Sequence, residues 1–148
     1  MRAVVDTNVL IAGLLWHGPP HALLTQARDG SLTMVSSPTL QAELADVLGR
    51  SKFDAVVVGS RTSRDSLLAE VRQLVEVVEP SPLPQPVCRD PDDDHVLALA
   101  LAANAELIIT GDSDLLALRQ FEGVPIVDPS QALQQIGASA TLRGPAAP

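Results

Sequence analysis

The residues of this sequence that are best suited to metal binding or catalysis are acidic. They stand at four separated places, namely Asp6, Glu43, the run DPDDD at residues 90–94, and the pair Asp112 and Asp114. Carboxylates gathered in one place repel one another and raise one another's pKa unless a cation neutralises them. Oxygen ligands without a cysteine or histidine partner suit Mg²⁺ or Mn²⁺, and such ions cleave phosphodiesters by activating a bound water. The pattern therefore predicts a metal site for phosphodiester chemistry, provided that the fold brings these places together.

The elements that must position these acids are short apolar strands that alternate with helices. The predicted strands are residues 3–5, 32–35, 75–78, 107–109 and 125–127. The predicted helices are residues 9–15, 21–28, 39–49, 63–74, 90–104, 114–120 and 129–136. This alternation is typical of an α/β fold with a parallel sheet covered by helices on both faces. Ligands bind beyond the carboxyl ends of the strands in such folds, so we expect Asp6 and Asp112 to lie at the same edge of the sheet.

The length of 148 residues fits one domain, and no domain boundary is recognisable within it. We place this domain at residues 1–136. Residues 137–148 are rich in Ala, Gly and Pro, and we expect them to form a flexible C-terminal tail.

The acids that follow strands also have a structural alternative, because Asp is a favoured N-cap of helices. Asp6 taken alone is as well explained by capping as by metal binding. Asp112 and Asp114 follow the same predicted strand, and two acids there exceed what one cap needs.

Glu43 is selected because it borders the buried face of its predicted helix. It lies three residues after Leu40 and four residues before Val47, and both belong to the apolar stripe of that helix. A carboxylate at the edge of a core stripe is costly unless it is paired or binds a metal. A salt bridge is the alternative, and the functional role is favoured over it.

Asp94 is selected from the acidic run. Asp90 can cap the helix, and Asp92 and Asp93 are stabilised by the positive end of the helix dipole, so these three need no function. Asp94 shares a helix face with Leu97 and is therefore predicted to point toward the core, where capping requires no acid.

Composition excludes several classes of protein. The single cysteine, Cys88, excludes an internal disulfide and a cysteine-rich zinc site. No apolar run reaches the roughly 18 residues of a membrane helix, and Asp6 interrupts any possible signal peptide. We therefore expect a cytoplasmic protein with no membrane partner.

The charge balance argues at first against a protein that binds nucleic acid through a basic surface. Eighteen acids oppose ten bases, for a formal net charge of −8. Eight of these acids lie at or beside the candidate site, and the other ten balance the ten bases. The acidity is therefore local, and we expect weak binding of nucleic acid without a steep salt dependence. The nearest approach to a basic cluster is Arg50, Lys52, Arg61 and Arg64, which either flank the site or are solvated surface residues.

Four motifs, taken together in this order and spacing, resemble those of the PIN-domain family. They are VVDTNVL at residues 4–10, SP with EL and VL at residues 37–48, RDPDDD with LALA at residues 89–100, and TGDSDLL at residues 110–116. The resemblance covers residues 2–136 and extends most specifically to bacterial toxin–antitoxin PIN proteins similar to VapC toxins. Each motif alone would be a weak signal.

The resemblance implies a three-layer α/β/α sandwich with a central parallel sheet and the activity of a metal-dependent endoribonuclease. By motif position, the catalytic and metal-binding acids would be Asp6, Glu43, Asp94 and Asp112, with Asp114 as a further metal ligand and Thr7, Asn8 and Thr110 as polar support. The implied cofactor is Mg²⁺ or Mn²⁺, and the implied substrate is RNA. The implied protein partners are a cognate antitoxin and a second copy of the chain, and a mean hydropathy of +0.20 also favours a homodimer.

Two alternatives to a nuclease remain open from the sequence. One is a catalytically silent PIN-like module that binds RNA or protein. The other is a Mg²⁺-dependent phosphotransfer domain, which the sequence disfavours. The dehalogenase-like pattern requires an acid two residues after Asp6, where the chain has Asn8, and the receiver pattern requires a late lysine, whereas the only lysine is Lys52.

Overall fold

The computed structural model describes residues 1–142, in which helices and strands alternate along the chain. The strands are β1 (Arg2–Val5), β2 (Thr33–Ser36), β3 (Val75–Val77), β4 (Leu107–Ile109), β5 (Gln120–Phe121) and β6 (Val124–Val127). The helices are α1 (Thr7–Leu15), α2 (Pro19–Asp29), α3 (Pro38–Leu48), α4 (Asp54–Gly59), α5 (Arg64–Leu74), α6 (Pro91–Ala102), α7 (Ser113–Leu118) and α8 (Pro129–Leu142). A 3₁₀ turn at Ser51–Phe53 precedes α4.

The strands of residues 1–142 form one six-stranded sheet in the order β3-β2-β1-β4-β6-β5. Strand β1 pairs in parallel with β2 and β4, and β3 and β6 extend the parallel part on either side. The predicted parallel sheet is confirmed. Strand β5, which pairs antiparallel with β6, was not predicted, because two residues are too few to show a hydrophobic period. Glu122 and Gly123, with φ of 51° and 80°, reverse the chain between these two strands.

Helices cover both faces of this sheet and complete the predicted three-layer α/β/α sandwich. Successive side chains of a strand point to opposite faces, so each strand contributes to two cores. Val5 of β1 packs in the core formed with α1, α2 and α8, whereas Val4 packs in the core formed with α6 and α7. The sheet is therefore held rigidly between two buried layers, and its edge is a stable platform for polar groups.

Helices that carry candidate site residues begin at side-chain caps. The caps are Asp6 on Thr7 N (2.7 Å), Ser37 on Leu40 N (3.1 Å), Asp90 on Asp92 N (2.9 Å) and Asp112 on Leu115 N (2.9 Å). Helix α1 therefore begins two residues before its predicted start. The capping alternative for Asp6 and Asp112 is thus correct, and it leaves their other lone pairs available.

Two helical segments differ from the prediction by more than a shift of two residues at an end. Helix α4 and the preceding 3₁₀ turn were not predicted, since a run of three valines gives no helical period and has low helix propensity. Helix α8 continues to Leu142, past the predicted end at Ile136, through a segment in which alanine favours the helix. The rest of the expected tail, residues 143–148, lies outside the described residues. Within residues 1–142, no helix combines the length and apolar character that crossing a bilayer requires.

The packing of α1 against α2 depends on Gly13. A Cβ atom at this position would lie 2.7 Å from the carbonyl oxygen of Pro20 and 3.0 Å from Leu24 Cδ1. We expect Gly13→Ala to lower the free energy of unfolding by about 1–3 kcal/mol, because the backbone of α2 must move. Urea denaturation followed by circular dichroism measures this loss. Gly59→Ala is the control, since a Cβ at Gly59 meets no atom within 4 Å, and equal stability of the two variants would contradict the close approach.

Candidate metal centre

Acidic side chains converge at the carboxyl edge of β1 and β4. These strands are neighbours in the sheet, and Asp6 N donates to the carbonyl oxygen of Ile109 at 3.0 Å, which joins the two strand ends. A cavity of about 140 Å³ lies at this edge. Its lining residues are Asp6, Asn8, Glu43, Asp90, Asp92, Asp93, Val96 and Asp112. The structure thus brings Asp6, Asn8, Glu43 and Asp112 together, as expected from the sequence.

Asp6 is held by hydrogen bonds to both of its carboxylate oxygens. Thr110 Oγ1 donates to Oδ2 at 2.7 Å, and the backbone N–H of Thr7 donates to Oδ1 at 2.7 Å. Burial raises the pKa of Asp6, these two hydrogen bonds oppose that rise, and the charge of Asp112 adds to it. Thr110 is itself fully buried and also accepts a hydrogen bond from the backbone N–H of Asp112 at 3.0 Å. The side chain of Thr110 therefore fixes the two strand-end acids relative to each other.

Glu43 reaches the cavity from α3 and is tied to α1. The hydroxyl of buried Thr7 donates to Glu43 Oε2 at 3.0 Å. Burial raises the pKa of Glu43, the bond from Thr7 lowers it, and the negative charges of Asp6 and Asp92 raise it further. The contacts of Thr7 and Thr110 match the supporting positions expected for them, whereas Asn8 is an exposed residue at the cavity wall.

The structure places Asp93, rather than Asp94, at the cavity. Asp94 Oδ1 instead accepts hydrogen bonds from the backbone N–H groups of Cys88 at 2.7 Å and Val87 at 3.2 Å. Asp94 lines a separate groove, which is also lined by residues of the segment 79–86 before α6. The prediction that Asp94 points into the site is wrong because residues 96–100 are all buried. Helix α6 therefore has no single apolar stripe that shows which of its faces points to the core.

Asp93, Asp112 and Asp114 form the tightest group of carboxylates at this edge. One oxygen of each lies within 4.8 Å of the others. Burial raises the pKa of Asp93 to about 6, and the charges of Asp112, Asp90, Asp6 and Asp114 contribute to this rise. Asp114 stands in the first turn of α7 and is exposed.

The donor set fits Mg²⁺ or Mn²⁺. No Lys, Arg or His is present among the described residues that line the cavity, so the protein supplies no positive charge of its own there. All side-chain donors are hard oxygens, which Mg²⁺ and Mn²⁺ prefer and which do not favour zinc. His95 stands beside the site, but its Nε2 lies 2.7 Å from Ser37 Oγ, the cap of α3. Partly buried carboxylates that raise one another's pKa, with no positively charged side chain among them, are the ligands expected of a centre that binds a divalent cation.

Sequence reasoning missed the contributions of Asp90, Asp92 and Asp93. All three lie in or before the first turn of α6, and their structural explanation as caps and dipole partners was sufficient taken alone. The signal that could have found them was the position of this turn, since a helix N-terminus directed at an acidic strand edge brings its first acids into the same cavity.

Comparison with known proteins identifies the family of this chain. A family model that describes the PIN domain matches residues 2–114, and the chain belongs to the PIN-domain family. Members of this family are generally nucleases and usually use a divalent metal. This membership decides against the phosphotransfer folds considered from the sequence.

The similarity extends to individual proteins. An uncharacterized protein of Methanocaldococcus jannaschii is 28 % identical over 120 residues, which cover 80 % of this chain and 76 % of that protein. The crystal structure of VapBC2 from Rickettsia felis, bound to a DNA fragment from their promoter, matches with a TM-score of 0.58 and 17 % identity. That match covers 86 % of this chain and 98 % of the other, and it shows the shared fold.

The burial of Asp93 and the negative charges around it predict an unusual pH dependence of stability in the presence of EDTA. The folded protein raises the pKa of Asp93 from 3.8 to about 6, so between these values it binds more protons than the unfolded chain does. Its stability therefore falls as the pH rises through this window and increases when the pH is lowered from 7 to 5. We expect the melting temperature measured by calorimetry to rise accordingly.

The control for this prediction is Asp93→Asn, which cannot titrate. The variant should show a smaller rise between pH 7 and pH 5 than the wild type. A wild-type melting temperature that falls over this range, or an unchanged pH dependence in the variant, would contradict the electrostatic description of the cavity.

Proposed function

We propose that the chain is a Mg²⁺- or Mn²⁺-dependent endoribonuclease that hydrolyses RNA phosphodiester bonds and serves as the toxin of a toxin–antitoxin pair. The observation that carries the proposal is the convergence of Asp6, Glu43, Asp93 and Asp112 on one cavity of a PIN-domain chain. A catalytically silent module would not need this costly arrangement of half-buried acids.

The acids at this edge of the sheet have different proposed roles. Asp93, Asp112 and Asp114 would hold the cation, because their oxygens are the closest group. Bound Mg²⁺ or Mn²⁺ would supply the Lewis acidity that activates water and offsets the charge of the phosphodiester. Asp6 is held by two hydrogen bonds and would keep its carboxylate in one orientation toward the cation.

Glu43 is the candidate that orients the attacking water. Its Oε2 accepts from Thr7, and within residues 1–142 its Oε1 accepts no hydrogen bond. Oε1 therefore has a free lone pair for a water molecule, and the pKa of Glu43, raised by burial, favours proton uptake at this atom.

Cys88 does not compete with water as the nucleophile. Cys88 is the only thiol of the chain, and burial together with the charge of Asp94 raises its pKa to about 11. It therefore stays protonated at neutral pH, and the thiolate, not the thiol, is the nucleophile. Hydrolysis by an oriented water is consistent with a cavity lined by carboxylates.

The proposed partners follow from the same family. The Rickettsia felis structure shows VapBC2 on a fragment of promoter DNA, and by this likeness we propose a cognate antitoxin for the present chain. The proposal also includes a homodimer, supported by a mean hydropathy of +0.20, and a cytoplasmic location.

Cleavage of a mixed pool of single-stranded RNA tests the activity. Purified protein should cleave the pool with Mn²⁺ and should not cleave it with EDTA, as resolved on a denaturing gel. Asp6→Asn and Asp93→Asn should each reduce the rate by about 100-fold or more, because each removes a charged ligand from the centre.

Two variants serve as controls for this experiment. Asp65→Asn removes an exposed carboxylate on α5, and it should leave the rate unchanged. Asp94→Asn should retain far more activity than Asp93→Asn, because Asp94 lies outside the cavity. Loss of activity in Asp94→Asn together with full activity in Asp93→Asn would reverse the assignment, and Mn²⁺-dependent cleavage undiminished in Asp6→Asn would refute the site.

A further inference from the structure

Five of the nine lysine and arginine residues that the structure describes are already engaged in contacts of their own. In the described part of the chain, the ion pairs are Arg2 with Glu76, Arg28 with Glu70, Arg50 with Asp46 and Arg64 with Asp54. The ammonium of Lys52 lies over the ring of Phe53, 5.0 Å from its centroid. In the loose basic cluster noted in the sequence, Arg50, Lys52 and Arg64 therefore already have partners on the surface of the protein.

Four arginines form no ion pair with any residue that the structure describes, namely Arg61, Arg72, Arg89 and Arg119. Their surroundings differ. Arg61 precedes α5, Arg72 lies in its last turn, and Arg119 follows α7. Arg89 alone is next in sequence to a residue that lines the acidic cavity, since Asp90 forms part of its wall. Consecutive Cα atoms lie about 3.8 Å apart, so the Arg89 Cα lies directly beside a residue of the cavity wall.

The backbone of Arg89 is anchored on both sides while its side chain is exposed. Before it, the N–H groups of Val87 and Cys88 donate to the carboxylate of Asp94. After it, Asp90 caps α6 through the N–H of Asp92 at 2.9 Å. The position of the Arg89 Cα relative to the cavity is therefore set by hydrogen bonds, whereas its guanidinium is exposed to solvent.

The acids near Arg89 have other partners or lie out of reach. Asp94 accepts hydrogen bonds from the backbone N–H groups of Val87 and Cys88. Asp90 accepts one from the N–H of Asp92 in its own helix. No described carboxylate lies within ion-pair distance of the guanidinium, although four aspartates follow it within five residues. The guanidinium therefore has no internal counter-charge among the described residues, and it is available for an external anion next to a cavity whose acids would otherwise repel one.

We propose that Arg89 is a substrate-binding residue that contacts a phosphate of the RNA backbone beside the bond to be cleaved. The inference rests on the proposed function, because it takes RNA as the substrate of the acidic cavity. The planar guanidinium presents paired N–H donors that match phosphate oxygens. Arg89 compensates locally for the repulsion between the phosphate chain and the acids that hold the cation. It also supplies a positive contact that the overall charge of the protein lacks.

Equilibrium binding of a labelled single-stranded RNA to the full chain tests this role. Fluorescence anisotropy is measured over a series of KCl concentrations at a fixed concentration of Ca²⁺, with the integrity of the RNA checked on a gel. Arg89→Gln should weaken binding by about fivefold or more, and the log–log slope of affinity against salt should become shallower by about 0.7, the value for one lost phosphate contact on a single strand. Arg89→Lys should keep the wild-type slope and lose only part of the affinity, because charge remains and the paired donors do not.

Arg72→Gln is the matched control, since it removes an exposed arginine that forms no ion pair among the described residues and lies on α5. It should change neither the affinity nor the slope. Binding by Arg89→Gln equal to that of Arg72→Gln, or no RNA binding by the wild type, would overturn the assignment of Arg89. Cleavage of the same RNA with Mn²⁺ is scored separately, so wild-type cleavage with an unaltered Arg89→Gln affinity would refute the inference and leave the proposed nuclease intact.

Discussion

Repulsion among partly buried carboxylates at the edge of β1 and β4 is the interaction on which the rest of this site depends. The fold places Asp6, Asp93 and Asp112 around one cavity and supplies no basic residue within the described lining. Such a cluster is destabilising unless protons or a cation neutralise it. The stability of the folded protein and its affinity for a cation therefore both depend on this negative charge, and both change with pH.

The surrounding structure holds these acids in position against that repulsion. The parallel sheet brings the ends of β1 and β4 together, and Thr110 connects Asp6 to the backbone of Asp112. Thr7 performs the corresponding role between α1 and Glu43 on α3. Two buried threonine hydroxyls thus join the N-termini of α1 and α7 to each other and α1 to α3. The strand-end aspartates, Asp6 and Asp112, serve as helix caps as well as candidate ligands.

The sequence was sufficient for features that depend on local pattern and on one topological rule. The alternation of strands and helices predicts the parallel sheet, and the rule that strand ends meet at one edge predicts that Asp6 and Asp112 converge, as the structure shows. The choice of Asp94 over Asp93 failed because the rotation of a helix buried on nearly all sides is set by tertiary packing. The hydrogen bonds that Asp94 accepts from the backbone N–H groups of Val87 and Cys88 are likewise set by the folded structure. No spacing in the sequence indicates them.

Anomalous diffraction from crystals grown with Mn²⁺ tests the central claim most directly, since it locates the cation independently of activity. The account predicts an anomalous peak between the carboxylates of Asp93, Asp112 and Asp114, where one oxygen of each already lies within 4.8 Å of the others. A peak that instead includes Asp94, or the absence of any peak at this edge with Mn²⁺ at saturating concentration, would contradict it.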